Sequence, residues 1–133
     1  MANLPVFSAV ARAGVANFAA ANTARDGTGT INDILTGAAS PGTRVDRVVV
    51  KAEDDLADGI VLIWLHNGTA YMLFDELDTG DGANADNTTP GYRCEKRYDD
   101  LYLPSTSWKI AATITVAPTT GDVNVFAFGA DLA

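Results

Sequence analysis

Across "GIVLIWLHNGTAYMLFD", Gly59 to Asp75, apolar side chains fill both sets of alternating positions. Asn67-Gly68 suits a two-residue type I′ turn between runs rich in β-branched and aromatic residues, so the stretch is expected to form a β-hairpin. With those two residues as the loop, Trp64 faces Tyr71, Ile63 faces Met72 and Val61 faces Phe74. Ile60, Leu62, Trp64, Tyr71 and Leu73 then share one face; Val61, Ile63, Leu65, Ala70, Met72 and Phe74 share the other. Neither face is polar. One should line the core, and the second must meet another layer, another subunit or a partner.

From Thr30 onward, short apolar runs alternate with clusters of Gly, Pro, Asp and Asn. Strands are expected at 30–35, 43–52, 60–66, 69–77, 92–99, 107–117 and 122–129. No helix-length periodic segment interrupts them, so the expected fold is an all-β antiparallel sandwich, jelly-roll-like. The breaker-rich Pro118–Gly121 suggests that the last two strands pair as a second hairpin. Phe7–Ala24 allows two readings. Phe7, Val10, Ala11, Gly14 and Phe18 recur at helical spacing. Gly14 and the many small residues favour instead an extended arm and a first strand that ends at the turn Arg25–Gly29. The resulting division is an N-terminal arm, 1–13, and one sandwich domain, 14–133.

A chain of 133 residues is long enough to bury a core without a metal or disulfide. Its formal charge of −8 is the wrong sign for gripping phosphate over a broad surface, so no nucleic-acid partner is expected. No apolar run approaches the ~20 residues of a membrane span. Met1–Arg12 lacks the basic start and apolar core of a signal peptide. Acid concentrates in Ala52–Gly59 and Asp75–Asp86, which read as solvated rims that keep a multi-copy protein soluble.

Candidate chemistry is sparse. His66 is the only histidine and Cys94 the only cysteine, so neither a nucleophile–histidine pair nor a metal-spaced set is supported. The neighbouring carboxylates Asp54-Asp55 and Asp99-Asp100 are read as hydrated. Asp78–Asn87 has the oxygen-rich, Gly-containing character of a Ca²⁺ loop. It fails the EF-hand pattern, because Gly80 replaces a ligand and no Glu closes the loop. "YRCEKRYDD", Tyr92–Asp100, alternates charges that could pair across strands at an edge or interface. No catalytic residue, cofactor or metal is expected. The residues assigned to an interface are Phe7, Val10, Val61, Ile63, Leu65, Met72, Phe74, Trp64 and Tyr71.

Four segments carry a resemblance. "ANTARDGTGTINDILTGAASPGTRVDRVVVKA", Ala21–Ala52, with the "LIWLHNGT" hairpin, resembles a group of small proteins encoded among the structural genes of tailed bacteriophages and prophages. "LYLPSTSWKIAATIT", Leu101–Thr115, and "NVFAFGADL", Asn124–Leu132, are similar to that group's closing strands. The acidic insertion Asp78–Pro90 departs from it. Membership implies a virion protein made in the host cytoplasm; from the residues, the second apolar surface of the Ile60–Phe74 hairpin and the N-terminal arm is expected to be buried in a homo-oligomer and by docking to a lattice. Its place would be the capsid surface, as a decoration or cement protein held by the major capsid protein of the same phage. Tail or fibre attachment is the alternative within the resemblance. From the residues alone, the competing reading is a carbohydrate-binding sandwich with Trp64, Tyr71, Tyr92 or Trp108 as a stacking platform.

Overall fold

The computed structural model describes residues 8–79 and 85–132. Eight strands form: β1 (Ser8–Phe18), β2 (Asn32–Thr36), β3 (Thr43–Ala52), β4 (Ile60–His66), β5 (Tyr71–Asp78), β6 (Arg93–Leu103), β7 (Lys109–Ile114) and β8 (Val123–Leu132). They build two four-stranded antiparallel sheets, β1-β8-β3-β6 (sheet A) and β2-β7-β4-β5 (sheet B). Only the β4–β5 connection stays within its sheet; every other one crosses the sandwich, which is the wrap of a jelly roll. The expected arm is shorter than its assignment, because Ser8–Ala13 belong to β1. Residues 1–7 lie outside the described residues.

The expected β7–β8 hairpin is absent. Each of the two strands sits inside a different sheet, β7 between β2 and β4, and β8 between β1 and β3. Residues 115–122 therefore carry the chain across the sandwich, tied down where the Thr119 N–H donates to the Asp55 carbonyl and the Glu53 N–H to the Asp122 carbonyl.

The core between the sheets takes Val45, Val48 and Val50 from β3, Val123, Val125 and Ala127 from β8, and Val61 and Ile63 from β4. Ile110, Ala112 and Ile114 of β7 and Leu101 and Leu103 of β6 complete it. At the β1/β2 side the layers pinch together, since a Cβ on residue 14 would fall inside the contact radius of the Ile34 carbonyl oxygen. Only glycine fits there. Gly14→Val is expected to cost about 1–3 kcal/mol or more, as overpacking does, seen as a lower urea midpoint.

The hairpin forms with a different register from the expected one. Only Gly68 takes a positive φ, and Asn67 does not. Its side-chain Oδ1 instead accepts the N–H groups of Thr69 and Ala70 at 2.9 and 3.1 Å. The loop therefore spans four residues, and His66 pairs with Tyr71, Leu65 with Met72 and Trp64 with Leu73. A shift of two keeps every side chain on its face. Below Leu73 the register slips again, Phe74 becomes the bulged residue, and Ile63 pairs with Asp75.

The second apolar face of the hairpin is covered by the chain itself. Leu62, Trp64 and Ala111 form a separate cluster on the outside of sheet B, with Ile31, Ile60, Tyr71 and Leu73 packed against it. The connection from β1 to β2, residues 19–31, straps across. Asn22 N–H donates to the Ile114 carbonyl of β7 at 2.8 Å, Gly27 passes against the Tyr71 carbonyl of β5, and Arg25 pairs with Glu76. The strap holds its own shape through Asn22, whose amide donates to the Thr28 and Thr30 carbonyls, both at 3.0 Å. The Trp64 indole N–H donates to Thr113 Oγ1 at 3.0 Å.

Three tyrosines anchor the rims. Tyr71 donates its hydroxyl to Asp33 at 2.7 Å, Tyr98 to Asp75 at 2.8 Å, and Tyr92 to the Asp78 carbonyl. Partial burial, and after it the Asp33 carboxylate, pushes Tyr71 up to about 12. Burial also raises Tyr98 and Tyr92, reinforced by Asp75 at the first and by Cys94 at the second. The folded chain thus holds these protons more tightly than the unfolded chain. Their contribution to stability is complete below the ordinary tyrosine value of 10.0 and is lost as pH rises through the higher folded values. In an alkaline titration followed by tyrosinate absorbance and circular dichroism together, these three should ionise only as the fold is lost. Ionisation near 10 with the fold intact would contradict the assignment.

Candidate docking surface

The residues assigned to an interface from sequence do not make one surface. Val61 and Ile63 are buried between the sheets, and Trp64, 1% exposed, lies under the strap. The assignment is corrected for these three, which have no area to give a partner. Tyr71 is half-buried in the strap cluster and Leu65 half-buried at the core margin. Met72 and Phe74, each 43% exposed, sit on β5, with the Phe74 ring 5.4 Å from that of Tyr98 on β6. Val10 is exposed on β1, at the opposite edge of the sandwich. Phe7 lies outside the described residues. The proposed stacking platform is not assembled either, because Trp64 is buried and Trp108 packs against the core.

A surface that the sequence reading missed is the outer face of sheet A. Strand register builds it as a grid: Val15, Phe126, Val49 and Glu95 in one row; Ala13, Phe128, Arg47 and Arg97 in the next; Asn17, Asn124, Lys51 and Arg93 in the third. The Phe126 and Phe128 rings stack at 6.0 Å with planes 10° apart. The Arg47 guanidinium lies 4.7 Å above the Phe128 ring, a cation–π contact. Val15 is 48% exposed beside them. A depression of about 550 Å³ lies between β1 and β6, lined in part by Ala11, Ala13, Arg47, Arg97 and Phe128.

Glu95 organises the basic end, contacted by Arg97 at 3.2 Å, Arg47 at 3.4 Å and Arg93 at 3.6 Å. Desolvation opposes its charge, but the arginines outweigh it and hold the carboxyl below its ordinary value. Charge is segregated over the molecule. Arg12, Arg44, Arg47, Lys51, Arg93, Lys96 and Arg97 lie on strands of sheet A; Arg25 and Lys109 are the only other cations. Those same strands carry Asp46, Glu95, Asp99, Asp100 and Asp131, and the twelve remaining acids lie elsewhere. The signal was present in "NVFAF", which is apolar on both alternations, the pattern that marked the hairpin.

Other candidate groups have structural partners. His66 Nδ1 accepts the Gly68 N–H at 3.0 Å, and its ring meets Tyr71 edge-on at 4.5 Å. In the acidic segments, Asp54 accepts from Thr120, Asp55 from the Ala85 N–H, and Asp86 from Thr88 and Thr89. The centre of the calcium-loop candidate, 80–84, lies outside the described residues. Among the described residues no cluster of His, Cys, Asp or Glu could hold a metal ion, and no helix is long and apolar enough to cross a membrane. No family model matches the chain, and no curated protein matches it.

Proposed function

We propose that this chain is a structural virion protein that decorates a phage head, seated by the outer face of sheet A, with the acidic loops and the strap of sheet B toward solvent. The observation that carries this is the outer face itself, a patch of arginine and phenylalanine on a chain with a net charge of −8. Arginine and aromatic residues are enriched in protein interfaces and dominate their energetics. The resemblance of Ala21–Ala52, Leu101–Thr115 and Asn124–Leu132 to phage structural proteins supplies the class of partner. The charge of the face supplies its chemistry, a carboxylate-rich surface on the major capsid protein. Each contact need only be modest, because a shell presents many equivalent sites.

The test is to purify mature particles of the phage that encodes the chain and to fractionate heads from tails. Recovery with intact heads, in many copies per particle, is expected. Recovery with tails alone would move the protein to the tail-attachment alternative, and absence from particles would end the reading.

A further inference from the structure

Each sheet of an open sandwich has two edge strands, and exposed edges invite pairing with another chain unless something blocks them. Three of the four edges here are blocked. β2 is only five residues long and opens with Asn32-Asp33; β5 carries the Phe74 bulge with Asp75, Glu76 and Asp78; β6 carries Arg93, Lys96, Arg97, Asp99 and Asp100. β1 is eleven residues long, "SAVARAGVANF", with no proline, no lysine and one charge. That charge, Arg12, is turned away from the edge's outer side, donating to Asp131 at 2.9 Å and to the Thr36 carbonyl at 3.0 Å.

Pleat alternation fixes what the edge offers. Ala11, Ala13 and Val15 share the alternation of Asn17, whose carbonyl points off the sheet to accept the Asn32 amide at 3.3 Å. Their N–H and C=O groups therefore point away from β8. Among the described residues, no strand or backbone partner takes them. They form a short, bare, unprotected ladder.

We propose that a second copy of this chain completes it, β1 pairing antiparallel with β1 of its twin about Ala13, to give one continuous eight-stranded sheet across a twofold dimer. Self-pairing suits the strip. Ala13 faces its own copy, Ala11 faces Val15 and Arg12 faces Gly14, so no two bulky side chains meet at the centre of the strip. The two Phe126–Phe128 stacks then lie on the same face of the joined sheet, with both β1 strands between them. Charge favours this site as well, since two chains of net charge −8 approach with least repulsion across a strip whose one cation is already paired. An isologous contact of this kind closes as a dimer. It stands apart from the particle reading, because it concerns the free protein.

Sedimentation velocity on the wild-type chain, Ala13→Pro and Val15→Lys tests it. Proline at 13 removes an N–H that β8 does not use, and edge strands tolerate proline there; lysine at 15 installs the charge that the edge lacks. The wild type should sediment at twice the chain mass, and both variants at the single-chain mass with an unchanged circular dichroism spectrum. Should one variant fail to fold, the other decides. A wild type at the single-chain mass overturns the proposal, and so does an oligomer that survives a folded variant.

Discussion

Trp64→Ala should unfold the protein at a temperature roughly 10–20 °C below wild type, a loss of about 3–5 kcal/mol for a buried tryptophan truncated to alanine. Trp64 is 1% exposed although it lies on the outer side of sheet B, because residues 19–31 cross over it. Truncation empties the space between Leu62, Ala111 and Ile31 and leaves Thr113 Oγ1, itself buried, without its indole donor. Phe74→Ala is the matched comparison. That ring is 43% exposed on a bulge and should cost about 1 kcal/mol or less. Thermal melts of the two variants distinguish a side chain sealed under the chain itself from one left exposed at the surface. A Trp64 variant that melts within a few degrees of wild type would show that the strap does not seal this face.

Reversing Arg93 and Arg97 together to glutamate should weaken attachment to heads lacking the protein by roughly 30-fold or more, the scale of a lost hot spot of about 2 kcal/mol. Both side chains are exposed, at 53% and 75%, so the fold should persist, and Glu95 keeps Arg47. Wild-type binding should also fall as salt rises, because charge at such a face acts through a screened field. Asp58→Lys, on an exposed residue of the acidic rim, should leave binding unchanged. Equal binding by the double variant and wild type would remove the outer face of sheet A from the contact.

The limits of sequence reading here are specific. β3 and β4 were legible to the residue, because continuous apolar runs stop at clusters of Asp, Gly and Asn. The faces of the hairpin survived a mistaken register, since the error near the turn was an even number of residues. It arose because Asn67 caps the loop with its side chain instead of taking a positive φ, a choice between two local chemistries that the dipeptide alone does not decide. The cover of Trp64 was not legible at all, since it depends on the strap Ala19–Ile31 returning over strands distant in sequence. The proposed docking face was hidden for the same reason. Val15, Arg47, Arg97 and Phe128 lie far apart along the chain and share a surface only through the order β1-β8-β3-β6. Most of what read as surplus apolar area in the hairpin is internal, with Met72 and Phe74 left exposed at the β5 edge, and the stacked Phe126–Phe128 pair, half-buried, sits on the other sheet.

A reconstruction of the decorated head by electron cryomicroscopy addresses the orientation directly. Sheet A should lie against the shell, with Arg93 and Arg97 within ion-pairing distance of shell carboxylates and Phe126 and Phe128 shielded from solvent. A density in which the strap over Trp64 meets the shell, while the arginine face stands free in solvent, would contradict it.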